Sequence, residues 1–123
     1  MQAVTGPVEV IRLPYPPSVN HYWRRVGART LVSAEGRRYR KRVVALLQGR
    51  RTARFDGGLS VHIAVHPPDR RRRDLDNVCK ALLDALESAG VYADDGQIDH
   101  LEIERGEIVE GGCVKVVITE ATP

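Results

Sequence analysis

Cysteine is scarce in this chain, with only Cys79 and Cys113 present. Their spacing makes neither a metal-ligand set nor a disulfide framework. Both are expected as small buried hydrophobes in a reducing compartment. No apolar run approaches the length needed to span a bilayer, so no membrane partner is expected. The first residues lack the basic-then-apolar layout of a signal peptide, which places the protein in the cytoplasm on this reading. Internal repeats and low-complexity tracts are absent. Aromatics are few: one Phe, one Trp and four Tyr. Lysine is rarer still, occurring only at 41, 80 and 115 among nineteen basic residues.

What the chain does have is arginine, and it is unevenly placed. Residues 1–73 carry sixteen Lys/Arg against four Asp/Glu, a balance of +12; residues 74–123 carry three against twelve, a balance of −9. Arginine's planar fork grips phosphate through two bonds, so an Arg-heavy basic half points to a polyanionic partner. A GC-rich genome would also favour Arg over Lys, but it does not explain the segregation of charge.

The 123 residues suit a single domain over 1–123. Val8 to Leu13 reads as a first strand, stopped by Pro14, Pro16 and Pro17. Residues 14–32 read as a long irregular stretch. Ser33 offers an N-cap for a helix with Tyr39, Val43, Leu46 and Leu47 as its apolar stripe, and Arg37, Arg38, Arg40, Lys41 and Arg42 on the other face. A linker over 49–58 ends at Gly57-Gly58. Leu59, Val61, Ile63 and Val65 alternate as a strand that Pro67-Pro68 ends. Leu75, Val78, Leu82, Leu86 and Ala89 predict a second helix stopped by Gly90. A turn at Asp94-Asp95-Gly96 leads to a strand from Ile98 to Arg105, and Val114, Val116 and Ile118 mark the last. The order β-α-β-α-β-β predicts a two-layer α+β fold: one mixed sheet of about four strands, two main helices on one face, and a final hairpin.

Chemistry concentrates in Arg70-Arg71-Arg72-Arg73-Asp74-Leu75-Asp76-Asn77-Val78-Cys79-Lys80. On extended backbone Asp74 and Asp76 point the same way. Lys80 lies one helical turn beyond Asp76. For Asp95 to join them, the turn after the helix must fold back. Three gathered carboxylates repel one another unless a cation neutralises them. Oxygen ligands with no His or Cys nearby favour Mg²⁺, with Mn²⁺ as a substitute. Such an ion activates water and stabilises charge on a phosphate oxygen, and Lys80 could orient that water or offset transition-state charge. Each piece also has a plain reading. Asp74 or Asp76 could cap the helix, Lys80 could pair with Asp76 or Asp84 on the helix face, Asp94-Asp95-Gly96 could be only a turn, and the arginines a solvated loop. Helix face and strand register argue against Asp84 and Asp99 as members of the site.

This run resembles the RusA family of Holliday junction resolvases. The similarity covers Pro68-Asp69-Arg70-Arg71-Arg72-Arg73-Asp74-Leu75-Asp76-Asn77, then Lys80, Asp84-Ala85-Leu86, Ala89-Gly90, Asp94-Asp95 and Gln97. Leu13-Pro14-Tyr15-Pro16-Pro17-Ser18-Val19-Asn20, Ser33-Ala34-Glu35-Gly36 and Tyr39-Arg40 match the same family. The resemblance implies a homodimer that binds a four-way DNA junction and nicks two opposed strands symmetrically with Mg²⁺. It implies Asp74, Asp76 and Asp95 as metal-binding catalytic acids and Lys80 as a catalytic helper. Arg70, Arg71, Arg72, Arg73 and Asn77, with Arg24 and Arg25, would contact DNA; Tyr22, Trp23 and the 49–58 linker are candidates to touch the junction. Leu31 and Tyr92-Ala93 depart from the family pattern. A non-catalytic DNA-binding module, or a metal-dependent hydrolase of small nucleotides, are the alternatives; the first does not need acid beside phosphate, and the second does not need the +12 half.

Overall fold

The computed structural model describes residues 4–48 and 55–121. Strand β1 spans Val4–Pro14 and is followed by a single helical turn α1 (Val19–Tyr22) and a small hairpin of β2 (Trp23–Val26) and β3 (Arg29–Val32). Helix α2 covers Ala34–Leu47, β4 covers Leu59–His66, and a 3-10 turn at Leu75–Val78 leads into α3 (Cys79–Ser88). A second 3-10 turn, Asp95–Gln97, opens β5 (Ile98–Arg105), and β6 (Cys113–Ala121) closes the chain's regular structure. The fold is α+β, as expected. The part of the linker at 49–54 lies outside the described residues.

The main sheet has four strands in the order β1-β6-β4-β5. β4 pairs parallel with β5 and antiparallel with β6, and β6 pairs antiparallel with β1. The parallel pair requires a crossover, and α3 supplies it. β4 alternates fully: Leu59, Val61, Ile63 and Val65 are buried while their neighbours are half-exposed. Against that face pack Tyr39, Val43 and Leu47 of α2 and Ala81, Leu82, Ala85 and Leu86 of α3, with Ile11, Val116 and Ile118 from the flanking strands. Burying a Leu- or Val-sized side chain contributes about 1.5–3 kcal/mol, so this layer is the main source of stability.

Four expectations need correction. The expected final hairpin does not form, because β4 lies between β5 and β6. The reason is burial. β6 buries Val114, Val116 and Ile118 and takes an interior place, whereas β5 is mostly exposed and suits an edge. Residues 14–32 are not irregular, since α1 and the β2–β3 hairpin occupy 19–32. Backbone bonds from Tyr22 N to Ser18 O and from Ser33 N to Tyr22 O stabilise that segment. Leu46 leaves the apolar stripe and is 49% exposed, so Val43 and Leu47 carry it. Cys79 and Cys113 are free but only half-buried. Among the described residues no helix is long and apolar enough to cross a membrane.

Candidate active site

The loop between β4 and α3 is shaped by an ion pair. Pro67-Pro68 stops β4, and Asp69 then accepts the Arg71 backbone N–H at 2.8 Å. Its carboxylate also takes both ends of the Arg73 guanidinium, at 2.6 and 3.2 Å. These bonds hold the Asp69 carboxyl down to about 2. Arg73 also lies over the Tyr15 ring at 6.0 Å, and its carbonyl accepts from Arg105 Nη2 at 2.6 Å. Arg73 is thus engaged within the chain, whereas Arg70, Arg71 and Arg72 are exposed. Together these residues line a cavity of about 440 Å³ that also includes Asp74.

Asp74 is extended and immediately precedes the 3-10 turn, in which Asp76 sits. Asp74 makes no side-chain cap, and the residue at the N-cap of α3 is Val78. The capping explanation of these acids therefore fails. Both carboxylates are exposed, beside the exposed arginines, and Asn77 follows half-buried.

In the first turn of α3, Lys80 Nζ lies 3.1 Å from Asp84 Oδ1 and 5.9 Å from the centre of the Trp23 ring. Asp84 Oδ2 accepts the Tyr22 hydroxyl at 2.7 Å. Arg40 donates to that hydroxyl oxygen through Nε at 3.1 Å and Nη2 at 2.7 Å. Burial, then the bond to Asp84, pushes the Tyr22 hydroxyl up to about 12. Tyr22 is fully buried and so is not a surface contact for a junction; the partly exposed ring is Trp23. Arg24 and Arg25 lie exposed on β2.

Asp95 stands near the other end of α3. Its backbone N–H donates to Glu87 Oε1 at 2.9 Å, and ligand oxygens of Glu87, Asp94 and Asp95 all lie within 4.8 Å of one another. Asp94 accepts from Gly96 N and forms a capping box with Gln97, so that acid has a structural task. Burial, and then Glu87, push the Asp95 carboxyl up; Lys80 opposes them. An acid crowded by other acids, with oxygen donors and no imidazole or thiolate, suits a hard divalent cation. Asp74 and Asp76 are outside this group of three. They sit at the front of α3, at the Arg105 end of β5, while Asp95 precedes the first residue of β5. Along the chain the ten residues of α3, about 15 Å of helix, lie between them.

The sequence offered Asp84 as a helix-face partner of Lys80, which it is, but set Asp84 aside as a member of the site. Asp84 touches Lys80 and is among the groups that raise Asp95. The four-residue spacing from Lys80 was the signal for it. Glu87 escaped notice because only the fold-back of the turn brings it to Asp95.

The chain is similar to known proteins over most of its length. Residues 14–119 match the family model described as Endodeoxyribonuclease RusA. Named relatives include the crossover junction endodeoxyribonuclease rusA of Enterobacteria phage HK97, 44% identical over 88% of this chain and 91% of its own length. That of Enterobacteria phage 82 is 43% identical over 89% and 92%, and that of Escherichia coli K12 is 44% identical over the same shares. Match length and identity together carry the assignment: this chain belongs to the RusA endodeoxyribonuclease family.

Proposed function

We propose that this protein is a crossover junction endodeoxyribonuclease that resolves four-way DNA junctions by paired symmetric nicks, acting as a homodimer with Mg²⁺. Mn²⁺ is the natural substitute. The observation that carries the reading is the pair Asp74 and Asp76: exposed, uncapped carboxylates directly after an arginine run, in a chain of this family. Like charge beside a phosphate-binding segment is costly unless a cation is shared with the substrate.

In this reading Asp74, Asp76 and Asp95 hold the metal. When bound, the ion lowers the pKa of a water and offsets charge on a phosphate oxygen. Arg70, Arg71, Arg72 and Asn77 grip the backbone of the cut strand, and Arg24 and Arg25 extend the basic track. Arg73 reaches phosphate only by releasing Asp69, so its first task is to brace the loop that presents Asp74. Lys80 brings a positive charge towards the scissile phosphate.

The length of α3 bears on the dimer. With about 15 Å of helix between the two parts of the acid set, a centre assembles when Asp74 and Asp76 of one copy face Asp95 of a second. A two-fold axis then makes two such centres, as paired nicks require.

The test uses a synthetic four-way junction and a matched linear duplex, with Mg²⁺ or EDTA. Paired nicks should appear on the junction alone and vanish with EDTA. Asp76→Asn should bind the junction but not cut it, since removing negative charge does not weaken phosphate attraction. Binding without cutting by the unmodified protein in every lane would leave only a DNA-binding module.

A further inference from the structure

The contacts around Lys80 go beyond an ordinary pair of charges on a helix face. An exposed ion pair at this spacing normally contributes little, because both side chains remain free to wander. Here one member is fixed. The Asp84 side chain is 14% exposed and is bonded on its second oxygen by the hydroxyl of Tyr22, a residue 62 positions earlier with no exposure. Arg40 of α2 braces the same hydroxyl and lies 3.6 Å from Asp84. Asp84 is thus tied to α1 and α2 at once, and only its first oxygen is left for Lys80. Lys80 also lies 5.9 Å from the centre of the Trp23 ring.

We propose that Asp84 is a positioning residue for Lys80, holding its ammonium beside Trp23 and fixed in turn by Tyr22 and Arg40. A lysine on its four-carbon stem samples many positions, and a charge used in a transition state is effective only when already in place. The inference rests on the reading of Lys80 as a group that supports the rate.

The experiment measures single-turnover nicking and junction affinity of the full-length protein in Mg²⁺. The variants are Asp84→Asn, Lys80→Ala and the double change. Asparagine still accepts the Tyr22 hydroxyl but no longer attracts an ammonium. The expected result is a loss of about 10- to 100-fold in rate for Asp84→Asn, the scale of a small misplacement of a catalytic group. Junction affinity should be unchanged, and the double variant should be no slower than Lys80→Ala alone. An equal loss from Asp84→Asn in both backgrounds, or a wild-type rate in the single variant, overturns the proposal. If Asp84→Asn does not fold, Asp84→Ser carries the same comparison. A wild-type rate for Lys80→Ala overturns the reading of Lys80 and this inference with it. A slow Lys80→Ala with fully additive losses overturns this inference alone.

Discussion

Asp69 and Arg73 determine how the arginine run is used. Four consecutive arginines look equivalent in the sequence, yet one is drawn back onto Asp69 and Tyr15 while three remain exposed. The consequence can be measured by pH. Arg73 holds the Asp69 carboxyl at about 2, below its ordinary 3.8. A depressed acid contributes stability that is complete above the ordinary value and disappears as pH falls through about 2. Titration of the carboxyl by NMR should therefore show a midpoint near 2, and Arg73→Ala should return it towards 3.8. A midpoint unmoved by that substitution would refute the brace. At this scale the pairing of Lys80 with Asp84 was legible from their spacing. Tyr22 was not, because its partners on α2 and α3 are distant in sequence.

Helix α2 illustrates how element and environment compete. Ser33 caps it as the sequence predicts, accepting the Gly36 N–H at 3.0 Å. Gly36 itself lies in the first turn, where alanine would normally strengthen a helix by about 1 kcal/mol. Yet a Cβ at Gly36 would meet Val32 at 2.8 Å and the Tyr22 ring at 2.9 Å. Tyr22 cannot yield easily, since its hydroxyl is bonded to Asp84 and Arg40. Overpacking therefore wins: Gly36→Ala should destabilise the protein by about 1–3 kcal/mol, read as a lower urea midpoint. A midpoint at or above that of the unmodified protein would mean the ring moves. The bounds of β4 and β5 and the two main helices were readable from period and stop signals, whereas β1 begins before the expected Val8 and the β2–β3 hairpin was not foreseen. The neighbours of β5 and β6 were not, because an alternating pattern says which face is buried and not which strand lies alongside.

For the whole molecule, the dimer decides where the acids meet. If each centre draws Asp74 and Asp76 from one copy and Asp95 from the other, two inactive variants should complement. Mixed subunits of Asp76→Asn and Asp95→Asn contain one centre with both changes and one with neither. Co-refolded mixtures should then nick a single strand of the junction, although each variant alone is inert. If every centre is built within one chain, the mixture stays inactive. Gel analysis of end-labelled strands separates the two outcomes.

Composition and period were enough to predict an α+β chain, and one charged motif with its resemblance to a known family to single out Asp74, Asp76, Lys80 and Asp95, because residue types and their local spacing are written in order along the chain. The tertiary structure decided that Asp84 and Tyr22 stand behind Lys80, that Arg73 is engaged by Asp69, and that Asp95 gathers with Glu87 and Asp94. Those facts depend on which distant segments pack together, and packing is set by the whole core at once rather than by any one stretch of sequence.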